Sequence, residues 1–153
     1  MKIRSTIRPL LAAVLAVLAG TADAQTVAVD PANRTVTADM QPLAVHVGGR
    51  VAVEPQPGGA RAFVHEWPGV YFEAAFRGAS VVLKFDDPAN EYRLHIDALP
   101  PIALAQPGTA EVTISGLADG VHHLRLEKVT ESIDLPAAFA GFYQRRCWSW
   151  SRA

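Results

Sequence analysis

Apolar side chains recur at every second position through the middle of this chain. The pattern occupies Val70–Phe76, returns in Val81–Phe85 and returns again in Tyr92–Ile96. A period of two predicts extended strands with one buried and one polar face. Arg77-Gly78 and Asp87-Pro88-Ala89-Asn90 separate the runs and are turn sequences. We therefore predict three consecutive antiparallel strands, joined as a meander with one solvated face.

Shorter extended segments with turn signals between them fill most of the remaining sequence. Pro55–Gly59 is a loop, Leu99–Pro101 interrupts the sheet, and Asp119-Gly120 is a strong hairpin signal. The additional predicted strands cover residues 26–30, 34–38, 43–47, 51–54, 61–66, 102–105 (at a sheet edge), 111–114 and 121–131. So many short strands at regular spacing predict an all-β, antiparallel sandwich or barrel.

The first 24 residues have the organisation of a secretory signal peptide. Lys2, Arg4 and Arg8 form a basic start, Leu10–Ala19 is a short apolar run, and Ala22-Asp23-Ala24 supplies small residues for cleavage before Gln25. A membrane anchor is the alternative, but it needs about 20 apolar residues. We therefore expect a secreted or periplasmic protein with no membrane association after cleavage.

Charge and cysteine content exclude several classes of partner and scaffold. Without residues 1–24 the chain carries 11 basic and 14 acidic residues. That balance gives no electrostatic reason to expect nucleic acid or an anionic membrane as a partner. Cys147 is the only cysteine, so neither an internal disulfide nor a thiolate zinc cluster is expected. An uncharged polymer such as a glycan is compatible with this composition.

A series of short motifs resembles the N-terminal β-sandwich of carbohydrate esterase family 2. The motifs are Trp67–Gly69, Phe72–Ala74, Phe76–Gly78, Phe85–Asp87, Asn90–Tyr92, Gly116–Leu126 and Lys128–Glu131. The similarity runs from about Val45 to Phe142. It implies a jelly-roll fold in place of an immunoglobulin-like sandwich, because periodicity alone does not separate the two. It also implies a secreted deacetylase of plant cell-wall polysaccharides such as acetylated xylan, in which an SGNH-type hydrolase domain follows the jelly roll.

The resemblance sets the predicted domain limits and separates a C-terminal tail from the jelly-roll domain. We expect a signal peptide at 1–24, a jelly-roll domain at 25–142 and an atypical tail at 143–153. Cys147, Trp148, Trp150 and three arginines crowd into that tail, where the family implies a linker and a Gly-Asp-Ser nucleophile. Our hypothesis is a truncation or frameshift before the catalytic domain, which the DNA after codon 153 would test. An exposed Trp-Ser-Trp pair that stacks on sugars is the alternative.

No serine lies in a recognisable nucleophile motif. Gly-Asp-Ser and Gly-x-Ser-x-Gly are both absent from the sequence. Ser80 follows a glycine turn and Ser115 precedes Gly116, so both are interpreted as strand-end residues. Cys147 lies in the atypical tail. We therefore expect no catalytic residue and no esterase activity from this chain alone.

Metal binding is considered and not favoured, and no cofactor is predicted. His122 and His123 are adjacent on a predicted strand, so their side chains point to opposite faces. Asp86, Asp87 and Asn90 form an oxygen-rich turn, but calcium takes six to eight oxygens. We favour an Asx turn that closes a hairpin.

Polysaccharide contact is the remaining functional reading, with xylan or cellulose as the implied ligand. Sugar sites combine an aromatic platform with amide, carboxylate and guanidinium groups. The candidate carbohydrate-binding residues are Trp67, Tyr71, Arg77, Asp86, Asn90 and Tyr92. Trp67 is either exposed at a strand-entry turn or plugs one end of the sandwich, and we favour the plug. Glu73 and Arg77 share a strand face and are read as a solvated or cross-strand charge pair in preference to a ligand clamp.

These observations predict a non-catalytic accessory domain of a carbohydrate esterase whose catalytic domain is absent from this sequence. A free-standing carbohydrate-binding module is the alternative. Loss of retention on xylan or cellulose after Trp67→Ala or Tyr71→Ala would favour the module.

Overall fold

The computed structural model describes residues 27–30, 39–133 and 136–146. Within these ranges the chain forms β-strands and one short 3₁₀ helix, Pro57–Gly59. The strands are β1 Ala28–Asp30, β2 Met40–Pro42, β3 His46–Gly48, β4 Ala52–Pro55, β5 Arg61–His65, β6 Tyr71–Arg77, β7 Ser80–Asp86, β8 Glu91–Ile96, β9 Ile102–Ala105, β10 Glu111–Ser115, β11 Val121–Lys128 and β12 Ala137–Arg145. The all-β prediction is confirmed. Among the described residues no helix has the length and apolar character needed to cross a membrane.

The strands form two antiparallel sheets. The larger sheet has the order β1-β10-β7-β12-β5-β4, and β2 pairs with the C-terminal end of β12. The smaller sheet has the order β3-β6-β11-β8-β9, which places β9 at an edge as predicted. Side chains from both sheets contribute to one apolar core, so the arrangement is a β-sandwich.

Phenylalanine side chains occupy the centre of the core. Phe139 of β12 has its ring centroid 4.8 Å from that of Phe72, 5.3 Å from Phe85 and 4.9 Å from Phe142. All four rings are almost completely buried. Burial of one such side chain stabilises a fold by about 1.5–3 kcal/mol. The inward faces predicted from the alternation are therefore the faces that hold the two sheets together.

The predicted meander is wrong, although its three strands are present. β6 and β8 lie in the smaller sheet, where both pair with β11, whereas β7 lies in the larger sheet between β10 and β12. Gly78, with φ of 133°, turns the chain from one sheet to the other, and its N–H donates to the carbonyl of Gly120. Few residues other than glycine adopt that backbone conformation. Alternation of apolar residues along a strand predicts which face is buried. It contains no information on which strand lies next to it in the sheet.

The predicted hairpin at Asp119-Gly120 is wrong for the same reason. The strands on either side, β10 and β11, belong to different sheets and do not pair with each other. The Asp-Gly sequence forms a bend that carries the chain across the end of the sandwich.

The prediction of one solvated face fails on β7, and the sheet extends beyond the predicted domain boundary. Val82 points away from the main core but is buried against Met40 of β2 and Tyr143 of β12. β12 continues past Phe142 to Arg145, and its last three residues pair with β2. The predicted strand at 34–38, the signal peptide at 1–24 and the tail from residue 147 lie outside the described residues.

Candidate functional site

The outer face of the smaller sheet carries an open groove of about 650 Å³. Phe72 of β6, Leu94 of β8 and Leu126 of β11 point into the core. The residues directly before and after each of them on its strand therefore point outward. Six of the eight residues that line it have polar or charged side chains. The groove, called the polar groove below, is lined by His46, Glu73, Ala74, His95, Asp97, His123, Leu124 and Arg125.

The centre of the polar groove is one row of side chains that crosses four strands. His46 of β3 lies opposite Glu73 of β6, which lies opposite Arg125 of β11, which in turn lies opposite His95 of β8. Neighbouring strands are about 4.8 Å apart, so the row spans roughly 14 Å. Directly opposed residues on one face of a sheet have Cβ atoms about 4.5–5.5 Å apart, so the row places four polar side chains next to one another.

Arg125 is held in place by two side chains of the neighbouring strand β6. Its Nη1 donates to Oε1 of Glu73 at 2.8 Å, and its guanidinium carbon lies 3.7 Å from the centroid of the Tyr71 ring. The hydrogen bond to Glu73 is the main reason that the pKa of Arg125 is raised. Gly48 makes this arrangement possible, because a Cβ there would lie 2.1 Å from Cζ of Tyr71. The guanidinium is thus positioned before any ligand arrives.

A charged pair forms the wall of the polar groove at Asp97. Asp97 has a φ of 47°, a left-handed conformation in which its carboxylate reaches β11. Its Oδ1 accepts the N–H of His123 at 2.8 Å, and its Oδ2 lies 2.6 Å from Nδ1 of His122. Nε2 of His122 lies 2.8 Å from the carbonyl of Ala118. Both ring nitrogens therefore face oxygen acceptors, and this geometry favours the doubly protonated ring, an imidazolium.

Electrostatic shifts agree with that geometry. The hydrogen bond to Asp97 is the largest cause that raises the pKa of His122, followed by the bond to Ala118. The N–H of His123 and then the ring of His122 lower the pKa of Asp97. The prediction that His122 and His123 point to opposite faces is confirmed, since His122 is buried and His123 is exposed.

A second polar cluster is buried within the sandwich and is centred on Asp87. Its Oδ1 accepts the backbone N–H groups of Ala89 and Asn90, at 3.1 and 3.0 Å, and the side-chain amide of Asn90 at 2.9 Å. Its Oδ2 accepts the hydroxyl of Tyr92 at 2.5 Å. Burial opposes ionisation, but the bonds from Tyr92 and Asn90 outweigh it, and the pKa of Asp87 is lowered.

The predicted Asx turn is present at Asp87, but it does not close a hairpin. It connects β7 and β8, which lie in different sheets. Both carboxylate oxygens of Asp87 already accept N–H or O–H groups, and Oδ1 of Asp86 accepts the hydroxyl of Thr109. Across the described ranges no group of three or more His, Cys, Asp or Glu residues is arranged to hold a metal ion. The carboxylate oxygens of Asp87 in this turn therefore bond to donors of the domain itself.

The six candidate carbohydrate-binding residues do not form one site. Asn90 and Tyr92 are buried, 3% and 1% exposed, and both bond to Asp87. Asp86 is exposed on β7 of the other sheet, and Arg77 is exposed at the end of β6.

Tyr71 and Trp67 are the two aromatic candidates at the surface, and their positions differ. Tyr71 borders the polar groove beneath Arg125. Trp67 lies in the loop before β6 and is 51% exposed, so the preferred reading of Trp67 as a core plug is wrong. Trp67 does not line the polar groove.

The row of side chains in the polar groove does not follow from the sequence pattern alone. The sequence predicts that Glu73 and Arg77 form a solvated or cross-strand charge pair, whereas the structure pairs Glu73 with Arg125 across the sheet. His46, His95 and Arg125 occupy outward positions of predicted strands, which is a signal available from the sequence. Their meeting depends on the order of β3, β6, β11 and β8, which the alternation does not contain.

Three serines lie within the described residues, two at strand ends and one in the loop after β11. Ser80 and Ser115 lie opposite each other at the ends of β7 and β10, in keeping with their interpretation as strand-end residues. The hydroxyl of Ser132 accepts the amide of Asn90. Over residues 27–30, 39–133 and 136–146 no serine hydroxyl is hydrogen-bonded to a histidine.

The fold and site define an antiparallel β-sandwich with a polar groove on one outer face. The family model described as "Carbohydrate esterase 2 N-terminal" matches residues 47–146, and this chain belongs to that family. It is 44% identical over 103 residues to an acetylxylan esterase / glucomannan deacetylase of Cellvibrio japonicus (strain Ueda107), over 67% of this chain and 29% of the relative.

Solved structures of carbohydrate esterases are also similar to this chain. One carbohydrate esterase, described for divergent catalytic and non-catalytic binding functions of its active site, matches with a TM-score of 0.57 and 37% identity over 71% of this chain and 32% of its own. An active-site mutant of a family two carbohydrate esterase from Clostridium thermocellum matches with a TM-score of 0.50 and 25% identity, over 68% and 33%. The chain thus spans about a third, or less, of the length of these relatives.

Proposed function

We propose that this chain is the non-catalytic, jelly-roll accessory domain of a secreted carbohydrate esterase, and that its polar groove contacts polysaccharide. The observation that supports this most directly is the family match, which covers the N-terminal part of esterases only. The relative from C. japonicus is named for activity on acetylated xylan and glucomannan, which are the ligands to test first.

The polar groove is the part of the domain best suited to such contact. It is open, it carries guanidinium and imidazole donors, and it lies outside the apolar core that stabilises the fold. Polysaccharide hydroxyls are recognised by hydrogen-bonding groups held in fixed positions, and Arg125 is held by Glu73 and Tyr71. The domain would then bring the chain to its substrate and leave the chemistry to a hydrolase.

Two measurements on the exported chain test the proposal. We expect no release of acetate from acetylated xylan or from a chromogenic acetate, and retardation in gels that contain xylan or glucomannan. Arg125→Gln should reduce the retardation while Arg61→Gln, which removes the same charge from the larger sheet, should leave it unchanged. Turnover that disappears with Ser80→Ala or Ser115→Ala would overturn the non-catalytic assignment, and absence of retardation in every gel would overturn polysaccharide contact.

A free-standing carbohydrate-binding module is the second candidate, and the exposure of Trp67 favours it. An indole that is half exposed at a loop provides a flat face for a sugar ring. In this case Trp67→Ala would abolish retention on insoluble xylan or cellulose and Arg125→Gln would not. Equal loss with both variants would place the two groups in one binding surface.

Export is the remaining part of the proposal and follows from residues 1–24. The secreted protein should begin at Gln25, because Ala22 and Ala24 are the small residues before the cleavage site. Intact-mass measurement of protein from the periplasm or medium checks this, and a mass that includes Met1–Ala24 would contradict it.

A further inference from the structure

A second, smaller pocket lies beside the loop that connects β5 to β6, and its volume is about 220 Å³. Ala52 of β4 and Val64 of β5 are directly opposed in the larger sheet, and both contribute apolar surface to it. The pocket, called the Trp67 pocket below, is lined by Arg50, Ala52, Val64, His65, Glu66 and Trp67. None of these residues lines the polar groove, so the two are separate sites on one domain.

The loop that carries Trp67 is bonded to the rest of the domain at both of its ends. The carbonyl of Glu66 accepts Nζ of Lys128 at 2.7 Å and the N–H of Ser132 at 2.9 Å. The N–H of Gly69 donates to the carbonyl of Lys128 at 2.9 Å. Lys128 is 1% exposed, so water does not compete for its bond to the loop. The loop is therefore ordered before any ligand arrives, and binding to it costs little conformational entropy.

The indole of Trp67 is accessible although its loop is fixed. Its exposed fraction is 51%, and an indole has a flat apolar face together with one N–H donor. His65 lies opposite Ala137 at the start of β12, whereas Arg145 is the last residue of that strand. The strand between them is roughly 26 Å long. The chain that follows β12 thus begins at the opposite end of the sandwich from the Trp67 pocket.

The wall of the Trp67 pocket carries one cation and one anion. Arg50 and Glu66 are not joined in an ion pair, and in the part of the chain that the structure describes neither side chain makes a hydrogen bond. Burial lowers the pKa of His65, so this ring adds no charge at neutral pH. The buried charge of Lys128 is balanced by the nearby carboxylate of Asp87. The formal charges cancel, while guanidinium donors and carboxylate acceptors stand side by side, which suits an uncharged ligand with hydroxyl groups.

We propose that the Trp67 pocket binds one ring of a neutral polysaccharide. The ring stacks on the indole, and its hydroxyls bond to Arg50 and Glu66. A pyranose with equatorial hydroxyls, such as xylose or glucose, presents C–H groups on both faces, and these pack against an aromatic surface. Pockets for drug-sized ligands enclose about 300–1,000 Å³, so this smaller pocket accommodates one ring. The inference rests on the proposed polysaccharide contact and adds a site to it, separate from the polar groove.

The test observes Trp67 itself. The intrinsic fluorescence of the exported chain is titrated with xylohexaose and cellohexaose, and Trp67→Phe supplies the background from the other tryptophans. We expect a saturable change in emission that is absent from Trp67→Phe and does not depend on Arg125. In calorimetry, Trp67→Ala should weaken binding about tenfold or more, and Arg50→Gln or Glu66→Gln about two- to tenfold.

Matched controls come from neighbouring positions outside the pocket. Val53→Ala removes an apolar side chain that is 54% exposed on β4. Glu54→Gln removes a carboxylate from the same strand, and Arg61→Gln removes a guanidinium from β5. All three should bind the oligosaccharides as the wild-type chain does. Thermal melts establish that each variant is folded.

The outcomes separate this inference from the proposed function. Retardation in xylan gels that depends on Arg125, without any change in emission from Trp67, overturns the Trp67 pocket and leaves the proposed function in place. Absence of binding to every glycan overturns both. Loss of the Trp67 signal in Arg125→Gln overturns the separation of the two sites.

Two further outcomes test the class of ligand. Oligogalacturonate carries a carboxylate on each ring and should bind more weakly than xylohexaose, so equal binding overturns the assignment to a neutral sugar. Self-association that rises with protein concentration and disappears in Trp67→Ala, with no response to oligosaccharide, would assign the indole to a contact between copies of this chain.

Discussion

Asp97 and His122 show how two residues can fix both a loop conformation and a protonation state. Asp97 adopts a left-handed backbone conformation, and its carboxylate accepts the ring of His122 and the N–H of His123. A folded-state pKa of His122 above the ordinary value of 6.5 means that its contribution to stability is complete below pH 6.5. That contribution disappears as the pH rises through the folded-state pKa. A lowered pKa of Asp97 means that its own contribution is lost as the pH falls below 3.8.

Asp97→Asn should therefore flatten the pH dependence of stability. Asparagine also tolerates the left-handed conformation, so the variant removes the charge without adding backbone strain. We expect a loss of about 1–2 kcal/mol in the free energy of unfolding near pH 6, since charged hydrogen bonds are worth more than neutral ones but Asp97 is partly exposed. The difference between variant and wild type should shrink as the pH approaches 9. Denaturant unfolding across this range, with Asp86→Asn as the control, measures it, and a constant difference would contradict the ion pair.

Gly48 is the residue whose side chain must be absent for Arg125 to stay in position. Gly48→Ala should displace the Tyr71 ring, because the new Cβ would lie 2.1 Å from Cζ. Overpacking of this kind costs about 1–3 kcal/mol. Gly120→Ala is a matched control, since a Cβ there meets no atom within 4 Å. Thermal melts of the two variants give the comparison, and equal stability would show that Tyr71 moves without cost.

At the scale of elements, the turn between β7 and β8 depends on one buried hydroxyl. Tyr92→Phe should cost about 1.5–3 kcal/mol, because Asp87 is ionised and loses its Oδ2 partner in a buried position. Nε2 of His65, 2.9 Å from the same hydroxyl, loses its partner as well. Tyr143→Phe removes a neutral bond to the carbonyl of Ala140 and should cost only about 0.5–1.5 kcal/mol. Chemical denaturation compares them, and the reverse order would mean that Asp87 is neutral.

Strand faces could be predicted from the sequence, while strand neighbours could not. Phe72, Leu94 and Leu126 are buried because alternation places them inward, and this follows from residue order alone. The crossing of β7 to the other sheet depends on a backbone conformation at Gly78 that the sequence permits without requiring. The Glu73–Arg125 pair spans 52 positions, so it depends on that crossing and on the register of β6 with β11. Tyr92 is predicted both at an inward position and in a sugar site, and in the structure its side chain is buried.

At the scale of the whole molecule, the two sheets should unfold as one unit. β6, β7 and β8 pass alternately between the sheets, and Phe63, Phe72, Phe85 and Phe139 from both layers share one core. Neither sheet retains an apolar partner if the other opens. We expect far-ultraviolet circular dichroism and near-ultraviolet aromatic signals to give coincident denaturation curves. Two separated transitions would show that one sheet persists alone.

The position of β12 in the larger sheet has a consequence for folding during synthesis. β12 lies between β7 and β5 and also pairs with β2, yet among the described strands it comes last in the sequence. Until β12 emerges from the ribosome, β5 and β7 each present an unpaired edge. The rings that pack against Phe139 in the folded domain then lack this partner. Exposed strand edges and apolar side chains of such a nascent chain can bind chaperones or pair with other copies of the same chain. The appearance of β12, and not the gradual growth of a partial structure, would then mark the moment at which this domain is protected from aggregation.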